Sequence, residues 1–265
     1  MQKIKEKLEN LYNSFDFEKA VQNDPIKFPK RFTDPLDIEI SAIIASFFAY
    51  GNIKCFCNFL EELFRIMERN PSEFILTFKP LKLIEKLNIK YRFSSTHDIV
   101  AFLFILKNML KNSPSGSLEH YFQCHSKQSE EFPSLILKIL NFTKSAIKID
   151  LTPIYGKNIK PQGLLHFFPN PLKGSPCKRI NLFLRWMVRN KDIDFGLWNT
   201  IKPKDLIIPL DIHIWKVSKK LGFTRKNTQS IKTAIEITEY LRKIEPEDPL
   251  KYDFVLCHGD INSLI

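Results

Sequence analysis

The sequence predicts an all-α protein of two helical lobes within one unit spanning residues 1–265. Three observations carry this. Glycine is scarce at 8 residues while phenylalanine reaches 23, a composition that suits close-packed helices better than a sheet with many tight turns. Apolar residues recur at helical spacing along most of the chain. Proline and capping residues punctuate those runs. With 44% hydrophobic residues, a chain of this length buries a substantial core and is not disordered.

Residues 1–12 (MQKIKEKLENLY) read as a charged amphipathic helix rather than a secretory leader. Asp34-Pro35-Leu36-Asp37 opens the stretch IEISAIIASFFAY, which ends at Gly51. It is too continuously apolar for a surface helix and is expected to cross the core. A second helix is expected from Ile53 to Glu68, with Phe56, Leu60, Leu63 and Phe64 at helical spacing. Asn70-Pro71 interrupts it, and Pro71 starts a short helix at the one position where a missing N–H costs nothing.

Ser95-Thr-His-Asp98 has capping-box form ahead of the helix IVAFLFILKNML. Residues 113–132 are polar and read as loop, apart from a short turn over Leu118 to Phe122. A helix is expected again over 134–147. The Pro-, Gly- and Asn-rich tract 149–175 marks a long connection and the change of lobe. Further helices are expected at Pro176 to Asn190, Ile212 to Leu221 (closed by Gly222), 229–243 and 249–258. DLIIPL (205–210) could form a short strand, but one strand makes no sheet.

The formal net charge of +11 is concentrated: residues 173–232 hold 14 Lys and Arg against 4 Asp and Glu. A solvated basic surface would explain this, and so would a polyanionic partner bound through phosphate neutralisation. The five cysteines (Cys55, Cys57, Cys124, Cys177, Cys257) are odd in number and contain no CxxC pair, so a reduced, cytoplasmic protein is expected. No apolar run reaches the length of a membrane span, and no membrane association is expected.

Two segments carry chemistry. In Pro171-Leu-Lys173-Gly174-Ser175-Pro-Cys-Lys178-Arg179, a turn containing Gly174 leads into a helix start, where free backbone N–H groups can hold a phosphate. Lys178 falls on its first turn. In IIPLDIHIWKV, an apolar, proline-containing approach ends on Asp211, a helix N-cap by residue type. Capping alone explains Asp211 but not its company of hydrophobic approach and downstream helices.

PLDIHIWKVSKKLG resembles the aspartate signature of the helix-hairpin-helix DNA glycosylases, the superfamily of endonuclease III and the 8-oxoguanine glycosylases. Gly174-Ser-Pro-Cys-Lys178 lies where that superfamily has its G-x-G-x-K hairpin, with Pro176 in place of the second glycine. Glu39 to Ser46 resembles the helix leading to the superfamily's DNA-wedging residues, and Tyr252 to Gly259 resembles a helix ending in H-G. These stretches cover residues 35 to 260 with gaps. HFFPNPLKGSPCKRINLFLRWMVR and DFGLWNTIKPKDLIIPLDIHI typify a bacterial family, and the 33 residues from Lys178 to Asp211 are similar to the spacing in the archaeal 8-oxoguanine glycosylase branch.

The resemblance implies a helix-hairpin-helix motif, a cleft between the lobes, and a bifunctional glycosylase and lyase excising an oxidised base, 8-oxoguanine first. Lys178 would be the nucleophile and Asp211 its catalytic partner. Lys173, Gly174, Ser175 and Arg179 would contact DNA. Phe47, Phe48, Arg185 and Asp260 would line the base pocket or wedge the stack, with core packing the alternative for the two phenylalanines and a solvated position for Asp260. The implied partner is double-stranded DNA carrying a damaged base, bound by a monomer. The four-cysteine tail of endonuclease III has no counterpart here, so no iron–sulfur cluster is expected, and no cofactor or metal. Another lesion, or a binding protein without catalysis, are the competing readings.

Overall fold

The computed structural model describes residues 1–68, 70–87, 89–123 and 133–259, and these are all-α. The helices begin with α1 (Gln2–Asn13), α2 (Phe17–Val21), α3 (Pro35–Phe48), α4 (Ile53–Ile66), α5 (Pro71–Thr77), α6 (Pro80–Lys86) and α7 (Thr96–Asn112). They continue with α8 (Ser134–Lys148), α9 (Thr152–Tyr155), α10 (Gln162–Leu165), α11 (Lys178–Val188), α12 (Ile212–Lys220), α13 (Ile231–Ile244) and α14 (Asp253–His258). Short 3-10 turns connect several of them, including Leu118–Phe122. Among the described residues there is no strand, only an isolated bridge between Tyr91 and Ser94. None of the described helices is long and apolar enough to cross a membrane.

The chain forms two compact units. One comprises Phe28–Asn170; the other joins Met1–Lys27 to Pro171–Ile265. The break at Asn170 falls inside the tract 149–175, which also holds the short helices α9 and α10.

The Phe28–Asn170 unit is organised around α3. Asp34 caps it by accepting from the Leu36 and Asp37 amides, with Pro35 in the first turn. Every residue from Ile38 to Phe48 is buried, so the helix crosses the core as its sequence requires. Its Glu39, also buried, accepts from the Leu118 amide at 2.5 Å and the Ser117 hydroxyl at 2.7 Å. The Ser95–Asp98 capping box of α7 is formed, and the Asp98 carboxylate also accepts from the Tyr155 hydroxyl at 2.8 Å. Phe47 stacks on Phe102 (centroids 5.3 Å) and Phe102 on Phe167 (4.7 Å), in a cluster that includes Phe48 and Phe168. Each fully buried ring contributes about 1.5–3 kcal/mol.

In the other unit the buried face of α11 carries Ile180, Phe183, Leu184, Trp186 and Met187. The same helix buries two arginines. Arg185 meets Asp253 (2.7 Å) and Asp194 (3.3 Å); Arg189 meets Asp248 (2.9 Å), Asp192 (3.1 Å) and Asp194. Removing one partner from such a buried pair costs about 3–5 kcal/mol, because it strands the other charge. The N-terminal helix belongs here: Glu9 accepts from Lys251 (2.7 Å) and from the Tyr252 hydroxyl (2.6 Å).

One expectation needs correction. The helix expected from Pro176 begins at Lys178, because Cys177 adopts a left-handed conformation (φ 48) that cannot continue into it. DLIIPL stays unpaired: Leu206 to Leu210 are buried, and the Ile208 amide donates to the Thr238 hydroxyl at 3.0 Å instead of to a neighbouring strand.

Candidate active site

The segment before α11 is a sequence of forced turns. Pro171–Lys173 makes a single 3-10 turn closed by the Gly174 amide, which donates to the Pro171 carbonyl at 3.0 Å. Gly174 then takes φ 90. A Cβ there would meet no neighbouring atom, so glycine is needed for the backbone angle and not for space. Its carbonyl accepts from the Ile231 amide at 3.1 Å, which pins the turn to the start of α13. Cys177 follows in the left-handed region and supplies no side-chain cap to α11. Asn181 reaches back to the Pro176 carbonyl at 3.0 Å. The result sets Lys178 as the first residue of α11.

Asp211 arrives from the other direction. The apolar approach Leu206–Leu210 is anchored in the core, so the position of its last residue is fixed by burial. Asp211 is extended (φ −117, ψ −176), and its Oδ1 accepts from the Ile214 amide at 2.9 Å, capping α12. Its other oxygen, Oδ2, lies 3.4 Å from Lys178 Nζ. The lysine side chain is 34% exposed and the aspartate 15%. A pair this open to water is worth about 0–1 kcal/mol, so it does little for stability.

Helix α14 packs on α12 and adds two groups that the sequence reading passed over. Asp253 holds Arg185, and Cys257 follows one turn later. Burial pushes the Cys257 thiol up, and the Asp211 and Asp253 carboxylates push it further, opposed by Lys178. Burial also raises the Cys177 thiol, to about 11, so neither thiol is a ready nucleophile. Their i, i+4 spacing puts Asp253 and Cys257 on one face of α14, a signal that could have drawn attention to them in the sequence.

Around the pair, Lys173 and Gly174 are exposed and Ser175 and Arg179 half-buried, all on the turn or the first turn of α11. The remaining candidates fare differently. Phe47 and Phe48 have no exposed surface and pack in the aromatic core of the other unit, so neither serves as a wedge in this conformation. Arg185 is 2% exposed and committed to Asp194 and Asp253, which leaves it no face for a base. Its seven-residue spacing from Lys178 points it inward to the ion pairs. Asp260 lies outside the described residues. His213 is exposed on α12, Trp186 and Trp198 are core, and the Trp215 indole donates to the Lys226 carbonyl at 3.0 Å.

The Phe28–Asn170 unit presents a second feature that sequence reasoning missed. Arg92 (φ 50) lies over the rings of Phe93 (5.5 Å) and Tyr50 (5.9 Å), and His166 meets both rings edge-on. A Cβ on Gly51 would sit 2.6 Å from the Arg92 guanidinium, so the glycine permits the approach. Phe93 is 66% exposed, an aromatic ring held in water by its neighbours.

A family model described as "Protein of unknown function (DUF2400)" matches residues 24–262, a stretch containing both Lys178 and Asp211. No curated protein and no solved structure matches. On the extent of its match, the chain belongs to the DUF2400 family.

Proposed function

We propose that the protein is a DNA glycosylase and lyase that excises an oxidised base through a lysine Schiff base. The observation that carries this reading is the pairing of Lys178 Nζ with Asp211 Oδ2 at 3.4 Å, across 33 residues of sequence. The aspartate's other oxygen is occupied by the helix cap, so its geometry is preset.

The chemistry follows from that arrangement. A base stacked in duplex DNA must first be rotated out, because its glycosidic bond is otherwise out of reach. The ammonium of Lys178 passes a proton to Asp211, and the neutral amine attacks C1′ of the sugar. The C1′–N bond breaks, and the base leaves with the electron pair and takes up a proton. That proton comes from Asp211, whose restored carboxylate stabilises the positive charge that develops at C1′. Loss of a second proton from nitrogen and ring opening give the Schiff base, which allows β-elimination of the 3′ phosphate.

The surface supports a nucleic-acid partner. Lys173, Lys216, Lys219, Lys220 and Lys232 of the basic tract are exposed. Cys177 gives α11 no side-chain cap, and a helix N-terminus is a place where a phosphate can be held. The Arg92–Phe93 platform offers a ring on which an unpaired base can stack. It is a better candidate for contact with unstacked DNA than the buried Phe47 or Phe48.

The substrate assignment rests on the Lys178-to-Asp211 spacing and the resemblance to the archaeal branch. The test is base release from duplexes carrying 8-oxoguanine, oxidised pyrimidines or alkylated purines. Release of 8-oxoguanine is expected. Release of another base alone corrects the substrate. Tight binding with no release from any duplex favours a DNA-binding protein without catalysis.

A further inference from the structure

The Phe28–Asn170 unit holds a concavity of about 510 Å³ that the proposed chemistry leaves unused. The end of α4, helix α5 and helix α6 line it. A space of that size suits a small molecule and is far larger than the voids of a packed interior. Its apolar part is formed by Met67, Phe78 and Leu83, all buried, and by Phe74, half-buried. The rings of Phe74 and Phe78 lie with centroids 5.6 Å apart and planes within 6°. Lys107 holds the end of α5 in place: its ammonium lies 4.9 Å from the Phe78 ring centre and donates to the Phe78 carbonyl at 2.5 Å.

Charge around these rings is sorted by sign. Glu68 follows α4 and Glu73 stands in the first turn of α5, and both line the concavity. Glu73 Oε2 accepts from the Asn70 side-chain amide at 2.6 Å, which orients the carboxylate. Lys79, Lys82 and Lys86 line it from α6 and its cap. Spacings of three and four residues put them on one side of the helix, spread over about 10 Å. All three are exposed, and none forms an ion pair among the described residues.

One class of ligand matches acid, ring and base together. A nucleobase offers amino and ring N–H groups to carboxylates and a flat π face to phenylalanine. Through its sugar it carries phosphates, which ammonium groups neutralise. An acidic peptide would set its charges against Glu68 and Glu73, and an apolar ligand would leave the three lysines unused. We propose that this concavity binds a nucleoside di- or triphosphate. Its base lies on Phe74, toward Glu68 and Glu73, and its phosphates lie along Lys79, Lys82 and Lys86. The assignment uses residues 66–86 alone, so it stands or falls independently of Lys178 as a nucleophile.

Isothermal titration of the full-length protein with ATP, in buffer free of divalent metal, tests this without DNA. Saturable one-to-one binding is expected, and weaker binding of AMP, which lacks two phosphates, and of tripolyphosphate, which lacks the base. Lys82→Glu is expected to weaken ATP about tenfold or more. Lys157→Glu makes the same charge change at an exposed lysine outside the concavity and should leave ATP affinity within about twofold. Phe74→Leu keeps an apolar side chain and removes the π face. It should weaken ATP about fivefold or more and leave tripolyphosphate unaffected. Absence of saturable ATP binding to the native protein overturns the proposal. Tripolyphosphate that binds as tightly as ATP would reduce the site to a lysine cluster and overturn it too, as would equal losses in Lys82→Glu and Lys157→Glu. A 5′-phosphorylated oligonucleotide that displaces ATP, while its 5′-hydroxyl form does not, would assign the site to a strand end, against a free nucleotide.

Discussion

Asp211 divides its two oxygens between a helix cap and Lys178. Oδ1 closes the first turn of α12, and Oδ2 faces Lys178. The two tasks separate by substitution. Asparagine caps a helix about as well as aspartate, so Asp211→Asn is expected to keep its melting temperature and its affinity for DNA. It cannot accept the lysine proton, nor can it stabilise a cation at C1′. Single-turnover base release should therefore fall by about 10²–10³-fold. Asp211→Ala should lose the cap as well, at about 1 kcal/mol. An asparagine variant that unfolds, or that releases base at the native rate, would make Asp211 a cap and nothing more.

At the scale of elements, the unit that holds the pair is closed by contacts distant in sequence. Helix α1 is tied to the start of α14 by Glu9, which meets Lys251 and Tyr252. Partial burial pushes the Glu9 carboxyl up, but the hydrogen bonds from Lys251 and Tyr252 and the charge of Lys251 carry it below the ordinary glutamate range. A carboxyl lowered on folding contributes stability above its unfolded pKa, and the contribution is lost as pH falls through the folded value. Wild type should thus melt above Glu9→Gln at pH 7, and the gap should close as the pH drops below about 4. A gap independent of pH would show that the contact works through shape and not charge.

The elements of both units mark what the sequence disclosed and what it withheld. The turn chemistry around Gly174, the capping box at Ser95 and the unbroken apolar run of α3 are local signals, and each formed as read. Arg185 is not legible as an ion-pair residue, because a seven-residue spacing specifies a helix face, not what that face meets. Its partners Asp194 and Asp253 lie 9 and 68 residues away. For Phe47 and Phe48 the sequence left wedge and core packing open, and the ring partners that decide for the core, Phe102 and Phe167, come from distant segments of the chain. The assignment of α1 to the C-terminal unit left no local mark either, since an amphipathic helix does not say which surface covers it.

For the whole molecule, the net charge of +11 is a sum over two different populations. Arg185 and Arg189 are buried against aspartates, whereas lysines such as Lys173, Lys216 and Lys220 face water. The first group holds the fold, and the second is available to phosphates. The glycosylase reading needs both, together with one nucleophile at the capped aspartate. Borohydride trapping on duplex DNA bearing the excised base tests this most directly, because reduction makes a Schiff base permanent. A covalent protein–DNA adduct is expected that maps to Lys178 and is lost in Lys178→Gln, with DNA binding retained. An adduct that persists in Lys178→Gln, or its absence from the wild type during active base release, would contradict the assignment of Lys178 as nucleophile.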